Sequence, residues 1–280
     1  MPNGEHKVDV LITFDFEEWE GRYSIYEADL YHKTQRVVNL LQELHVSATF
    51  FLDAHTTLLY PEAARLLTDG GFELALHSDY HPGAVRDTRN RKRAQSVDIP
   101  DFRQDSETQI SRIQRAISMI REVVPDFRPL GFRAPDLKWN RSLYTSLSKL
   151  NFLYDSSQKV YTFHPFQMNG IVVLPVNSGD YDSACYRMKP QYVLAVWKDR
   201  LSKACEAAAR TGESCFVLLA HPSVSGKSKY IGLLKAILNH ISWCGAQYLT
   251  CSELAIKCKE NIGQMQRENS AQLYLRGQHK

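Results

Sequence analysis

Short runs of β-branched and aromatic residues alternate along this chain with longer stretches whose apolar positions recur at helical spacing. Val8–Phe14 reads as a first buried strand. Val37, Val38, Leu40, Leu41 and Leu44 follow the helical period behind Thr34, a residue able to cap a helix. Ala48–Leu52 is a second strand, a helix runs from Pro61 to Leu67 until Gly70-Gly71 stops it, and Phe72–Leu76 is a third strand. Further on, the pattern predicts helices over 106–124, 141–150, 191–210, 230–243 and 252–259. Strands are predicted over 131–133, 152–154, 171–176, 215–220 and 247–249. Strand-helix alternation of this kind belongs to βα units around a parallel sheet, so an α/β barrel-like single domain is expected. The domain is expected over residues 1–262, with a polar tail over 263–280. Residues 83–103 break the rhythm with Arg86, Arg89, Arg91, Lys92 and Arg93, and read as an exposed loop or lid.

Composition adds exclusions. A net charge of +3 is too small to point to nucleic acid, and 44% hydrophobic with 23% charged residues is ordinary for a globular chain. Six cysteines without a C-x-x-C pair exclude zinc-finger and redox spacing and suit small buried side chains. No apolar run approaches the roughly 20 residues of a membrane helix. No basic segment followed by an apolar one opens the chain. Together with the free cysteines, this leads to the expectation of a cytoplasmic protein.

The candidate chemistry sits where predicted strands end. Asp15, Glu17, His77, His81, Arg133, Asp155 and His221 all fall at or just beyond the C-terminal ends of strands, which in a parallel barrel share one rim. His77 and His81, at i and i+4, can present ring nitrogens to one metal, or can be two histidines satisfied by surface or core. Asp15 and Glu17 follow an apolar strand and alternation aims them to one side. They suit a ligand and a proton acceptor, or an acidic turn capping a helix. His221 can serve as a general acid or be held by backbone. Arg133 and Asp155 can orient these groups or form structural ion pairs. Trp19, Tyr23, Tyr80 and Trp139 suit stacking on a sugar face, or packing in core or lid.

Taken in order, Thr13-Phe-Asp15, Ala48-Thr-Phe-Phe51, His77-Ser-x-x-His81, Gly131-Phe-Arg133-Ala-Pro135, Tyr154-Asp-Ser-Ser157 and Leu218–His221 resemble the polysaccharide deacetylase family, the family-four carbohydrate esterases. The resemblance implies a distorted (β/α)7-type barrel that removes N- or O-acetyl groups from sugars with a divalent metal, most often Zn2+, with Co2+ or Ni2+ as alternatives. It implies Asp15 as general base, His77 and His81 as metal ligands, and His221 as general acid. Arg133 would hold Asp15 and Asp155 would orient His221. The family commonly places two successive aspartates here, the second a ligand. This chain has Phe16 there, so Glu17 is the expected third ligand and Glu18 the second choice. The spacing, with His221–Gly226, resembles a peptidoglycan deacetylase-like and cyclic imidase-like subgroup. Formamides, ureides and cyclic imides therefore stand as alternative substrates, and an inactive carbohydrate-binding homologue as a further reading. A sugar nucleotide or an anionic lipid-linked sugar facing the basic loop would fit a cytoplasmic location.

Overall fold

A computed structural model describes residues 7–17, 29–79, 104–178 and 181–261. The loop at 83–103, with Arg86–Arg93, and the tail at 263–280 lie outside the described residues, as do Glu18, Trp19, Tyr23, Tyr80 and His81.

The strands are β1 (Lys7–Phe16), β2 (Ala48–Asp53), β3 (Glu73–Ser78), β4 (Gly131–Phe132), β5 (Tyr154–Asp155), β6 (Phe166–Met168), β7 (Ile171–Val173), β8 (Glu213–Ala220) and β9 (Gln247–Tyr248). They form one sheet ordered β6-β7-β5-β4-β3-β2-β1-β8, with β9 against the lower half of β1. Every pairing is parallel except the β6–β7 hairpin. The helices are α1 (Leu30–Glu43), α2 (Ala54–Leu59), α3 (Pro61–Asp69), α4 (Ser106–Arg121), α5 (Arg141–Lys149), α6 (Tyr181–Arg187), α7 (Pro190–Thr211), α8 (Pro222–Ser225), α9 (Ser228–Trp243) and α10 over 251–261. The result is a curled, barrel-like sheet carrying helices, the expected α/β architecture.

Alternation along β1 divides the core in two. Val8, Val10, Ile12, Phe14 and Phe16 face outward into the layer shared with the helices, where Phe14 stacks on Phe50. Leu11 faces inward with Phe51, Ala75, Tyr154 and Val217. Such continuous burial on both faces is the mark of a parallel sheet with covered sides. Gly131 is required by close approach: a Cβ there would lie 1.8 Å from the Tyr154 ring.

Several elements depart from expectation. α1 starts at Leu30 and its cap is Asp29, whose Oδ1 accepts the His32 N–H at 3.0 Å; Thr34 is buried inside the helix. Asp29 wins because it lies a full turn earlier and its carboxylate suits the positive end of the helix. α2, α6, α8 and β6 are not signalled by periodicity. They are short, and Ala-His-Thr-Thr-Leu-Leu of α2 has no apolar stripe. The barrel wall between β7 and β8 is closed largely by a side chain, beside backbone bonds from Ser178 N–H to the Val217 carbonyl (3.3 Å) and from Cys215 N–H to the Phe163 carbonyl (2.7 Å). Asn177 donates to the carbonyls of Thr162 (2.9 Å) and Cys215 (3.0 Å) and accepts from Val217 N–H (2.9 Å), standing in for a strand ladder.

Candidate active site

The inward phase of β1 continues past its end, so Asp15 and Glu17 both enter the barrel mouth while Phe16 points into the opposite layer. A ligand at position 16 would thus face the helices. Spacing the carboxylates by one residue places both inside.

Asp15 is fixed by Arg133, which follows β4 and is fully buried. Arg133 Nη1 donates to Asp15 Oδ1 at 2.7 Å, Nη2 to Thr13 Oγ1 and Ser156 Oγ at 2.9 Å each, and Nε to the Ser156 carbonyl at 3.1 Å. Its guanidinium also lies 4.0 Å over the Phe51 ring. Thr13 completes the frame by donating to the Leu218 carbonyl at 2.7 Å. A buried arginine is tolerable when its fork is filled in this way.

Glu17, 2% exposed, lies between two imidazoles. His77 Nε2 is 3.0 Å from its Oε2 and His221 Nε2 is 3.0 Å from its Oε1. Asp15 Oδ2 is 3.9 Å from the same nitrogen of His77 and 4.0 Å from that of His221. The His77 Nδ1 is 2.7 Å from the Arg133 carbonyl. A carbonyl only accepts, so Nδ1 carries the hydrogen and Nε2 faces the carboxylates. Burial alone would disfavour a charged His77, but the Asp15 and Glu17 charges outweigh it and its pKa is pushed up to about 9.

His221 caps α8, and its carbonyl accepts Ser225 Oγ at 2.7 Å. α8 is pressed on α1 at Gly226, where a Cβ would stand 2.2 Å from the Lys33 carbonyl, and Arg36 Nε donates to the Gly226 carbonyl at 2.6 Å. That contact fixes the short helix carrying His221.

The expected contact between Asp155 and His221 is not made. Asp155 Oδ2 accepts from Tyr144 Oη at 2.8 Å and from Ser157 N–H at 3.1 Å, and Oδ1 accepts from Ser157 Oγ. Ser157 Oγ in turn accepts the Ala134 N–H at 2.8 Å. The Asp155 oxygens stabilise the turn after β4 instead, through Ser157. Burial pushes its carboxyl up to about 6 despite these donors. In that turn, Asp136 and Leu137 adopt φ of 53° and 56°, and Leu137 and Lys138 N–H close it on the Ala134 and Pro135 carbonyls. Trp139, half-buried, packs edge-on to Tyr144.

Two acidic residues near the site escape the sequence reading. Asp79 is buried beside β3, where it accepts from Arg112 Nη2 at 2.5 Å and pairs with Arg115. Burial would raise its carboxyl, but the two guanidinium groups hold it below the usual range. Asp53 ends β2, and the same strand-end rule that selects Asp15 would select it. Burial pushes its carboxyl up to about 6.

Do these residues suit a divalent cation? Donor atoms about 2.0–2.2 Å from one ion, at angles near 90–110°, stand roughly 3 Å apart. Glu17 Oε2 and His77 Nε2 meet that condition, and the Nδ1–H···O=C bond is the usual support for a ligating imidazole. Among the described residues no three His, Cys, Asp or Glu side chains are arranged to hold an ion, and His81 lies outside them. The Glu17–His77 pair fits, and His221 Nε2 stands equally close to Glu17 Oε1.

A family model described as polysaccharide deacetylase matches residues 3–154. The chain belongs to the polysaccharide deacetylase family. It is 21% identical to a peptidoglycan deacetylase-like protein of Gibberella zeae over 91% of this chain and 87% of that one. Its fold matches a Mycobacterium smegmatis structure described as a polysaccharide deacetylase, with a TM-score of 0.74, 22% identity and 93% of each chain covered. It also matches the allantoinase PuuE, with a TM-score of 0.69, 14% identity and 90% of each chain covered. A family-four pseudoenzyme from Bacillus anthracis matches with a TM-score of 0.56 and 15% identity, over 91% of this chain and 66% of that one. At these identities the three structures speak for the fold, a family-four (β/α)7 barrel.

Proposed function

We propose that the protein is a metal-dependent deacetylase that hydrolyses an N-acetyl, or related N-acyl, group on a sugar or sugar conjugate. The observation that carries the proposal is the position of Glu17, 3.0 Å from both His77 and His221, beside an Asp15 locked by Arg133. Glu17 and His77, with His81, would hold a divalent ion, Zn2+ before Co2+ or Ni2+. When bound, it would polarise the acyl carbonyl and make water a better nucleophile.

The remaining steps belong to the chain. Asp15 takes the proton of the attacking water on Oδ2, while Arg133 keeps Oδ1 engaged. The backbone N–H that follows Pro135 faces the developing oxyanion, and the Asp155–Ser157–Ala134 chain fixes the turn that bears it. His221 gives its proton to the departing amine. His77, with Nδ1 committed to the Arg133 carbonyl, keeps Nε2 toward Glu17.

The same groups would cleave a formamide, ureide or cyclic imide, and the allantoinase shares the fold. An inactive carbohydrate-binding role has Phe16 in its favour. The inward Glu17 answers that point, because it restores a carboxylate beside His77. A panel of N-acetylated oligosaccharides, nucleotide-linked and lipid-linked sugars and imides decides the substrate. Release of acetate from the sugars supports the proposal, and turnover confined to imides overturns it. Among the described residues no helix is long and apolar enough to cross a membrane.

A further inference from the structure

Asp53 is a completely buried carboxylate that the mechanism above does not use. Its place in the sheet is informative. Asp15 on β1 and Ala75 on β3 both pair with Phe51 on β2, and Glu17, Asp53 and His77 each lie two residues further along. Three neighbouring strands therefore deliver these side chains to the same end of the barrel, with a register shift after Leu52 setting Asp53 opposite Ser78. One oxygen serves the local fold, since Oδ1 accepts the Thr56 N–H at 2.8 Å and caps α2. The other, Oδ2, is buried with no hydrogen-bond partner among the described residues. His77 and Glu17 both lie within electrostatic reach of it.

An N-cap alone does not call for this residue. Asn or Ser in the same position would supply the capping oxygen without the cost of a buried charge. The guanidinium of Arg133 is already committed to Asp15, Thr13 and Ser156. With His77 neutral, as a ligating imidazole must be, Asp15, Glu17 and Asp53 bring more negative charge to the barrel mouth than that one arginine balances. A cation held by Glu17 and His77 would offset the excess. By reciprocity, a carboxylate that is stabilised by the cation must tighten its binding.

We infer that Asp53 is an outer-sphere carboxylate of a divalent-cation site, which does not itself ligate but raises the affinity of the Glu17–His77 pair through its charge. Its assignment outside the ligand shell agrees with the absence, among the described residues, of any three such side chains arranged to hold an ion. The inference rests on the metal site proposed above. It adds a positioning residue supplied by β2.

The test is calorimetric titration of Zn2+ into the chelator-stripped full chain at pH 7.5, for the wild type, Asp53→Asn and Asp53→Ser. Thermal midpoints of the metal-free proteins are measured alongside. Both variants keep a capping oxygen and lose the charge, and they differ in volume. Loss of an outer-shell partner weakens binding by roughly 10–100-fold. The expected result is a loss of about tenfold or more in both variants, with metal-free midpoints not lowered. Wild-type affinity in Asp53→Asn overturns the inference, as does a loss confined to Asp53→Ser, which would follow shape and not charge. A wild type that takes up no Zn2+ overturns the site itself, an outcome distinct from a wild type that binds while the variants bind equally well. If Asp53→Asn does not fold, Asp53→Ser alone decides, and unchanged affinity there overturns the inference.

Discussion

Arg133 joins the two halves of the site at the level of single residues, because one guanidinium holds the proposed base and its backbone carbonyl orients a proposed ligand. Replacing it by Met leaves Asp15 buried without its partner. Breaking a buried pair from one side costs about 3–5 kcal/mol. Urea unfolding should therefore show a loss of that size in Arg133→Met and a smaller one in Arg133→Met/Asp15→Asn; equal losses would show that the pair is not coupled. Asp15→Asn alone should keep the metal and reduce turnover by roughly 10²–10⁴-fold, as for a general base. His77→Ala should lose the metal. Metal analysis and acetate release on the two variants check both statements, and full activity in either refutes the assignment. Much of this residue-level picture is legible in the sequence: Asp15, Glu17, His77, Arg133 and His221 stand out because they end apolar strands, and in the fold they meet. The partner of Asp155 is not legible, since a strand-end position says which rim a side chain reaches but not which neighbour it faces.

Elements position these residues, and the least regular ones are the hardest to foresee. β1, β2, β3 and β8 announce themselves by continuous apolar runs, and α7 and α9 by helical spacing. α8 is four residues long and carries no periodicity, although it follows directly on His221. The closure between β7 and β8 escapes pattern reading for a different reason. It is made largely by one amide side chain, and Asn177 looks like any loop residue in the sequence. Asn177→Ala would strand a buried N–H and two carbonyls. Unsatisfied buried groups cost about 1–3 kcal/mol each, so a net loss of about 2–3 kcal/mol is expected after relaxation. A drop in denaturant midpoint with unchanged slope would verify it, and a midpoint equal to wild type would show that the wall is held elsewhere.

Across the whole molecule, burial of acid groups at the barrel mouth sets a pH dependence. The carboxyls of Asp53 and Asp155 are raised to about 6, from an ordinary value of 3.8. A raised folded-state pKa gives a contribution that is complete below the unfolded value and lost as pH climbs through the folded one. These two groups therefore favour folding more at pH 5 than at pH 7. Asp155→Asn removes one of them, so its stability relative to wild type should improve between pH 5 and pH 7. Chemical denaturation at the two pH values checks this, and a constant difference between the proteins contradicts it. The family and the barrel architecture are legible from motif order and strand–helix alternation, which are properties of the whole chain. Charge balance is not, because it depends on which acids are buried together.

Glu17 is proposed as the carboxylate of a divalent-metal site in which Phe16 replaces the family's usual second aspartate. Metal content and Zn2+ affinity of wild type against Glu17→Gln test it most directly, since the substitution keeps shape and removes only the charged donor. One ion per wild-type chain and severely weakened binding in the variant are predicted; equal occupancy and affinity in the two proteins would contradict the account.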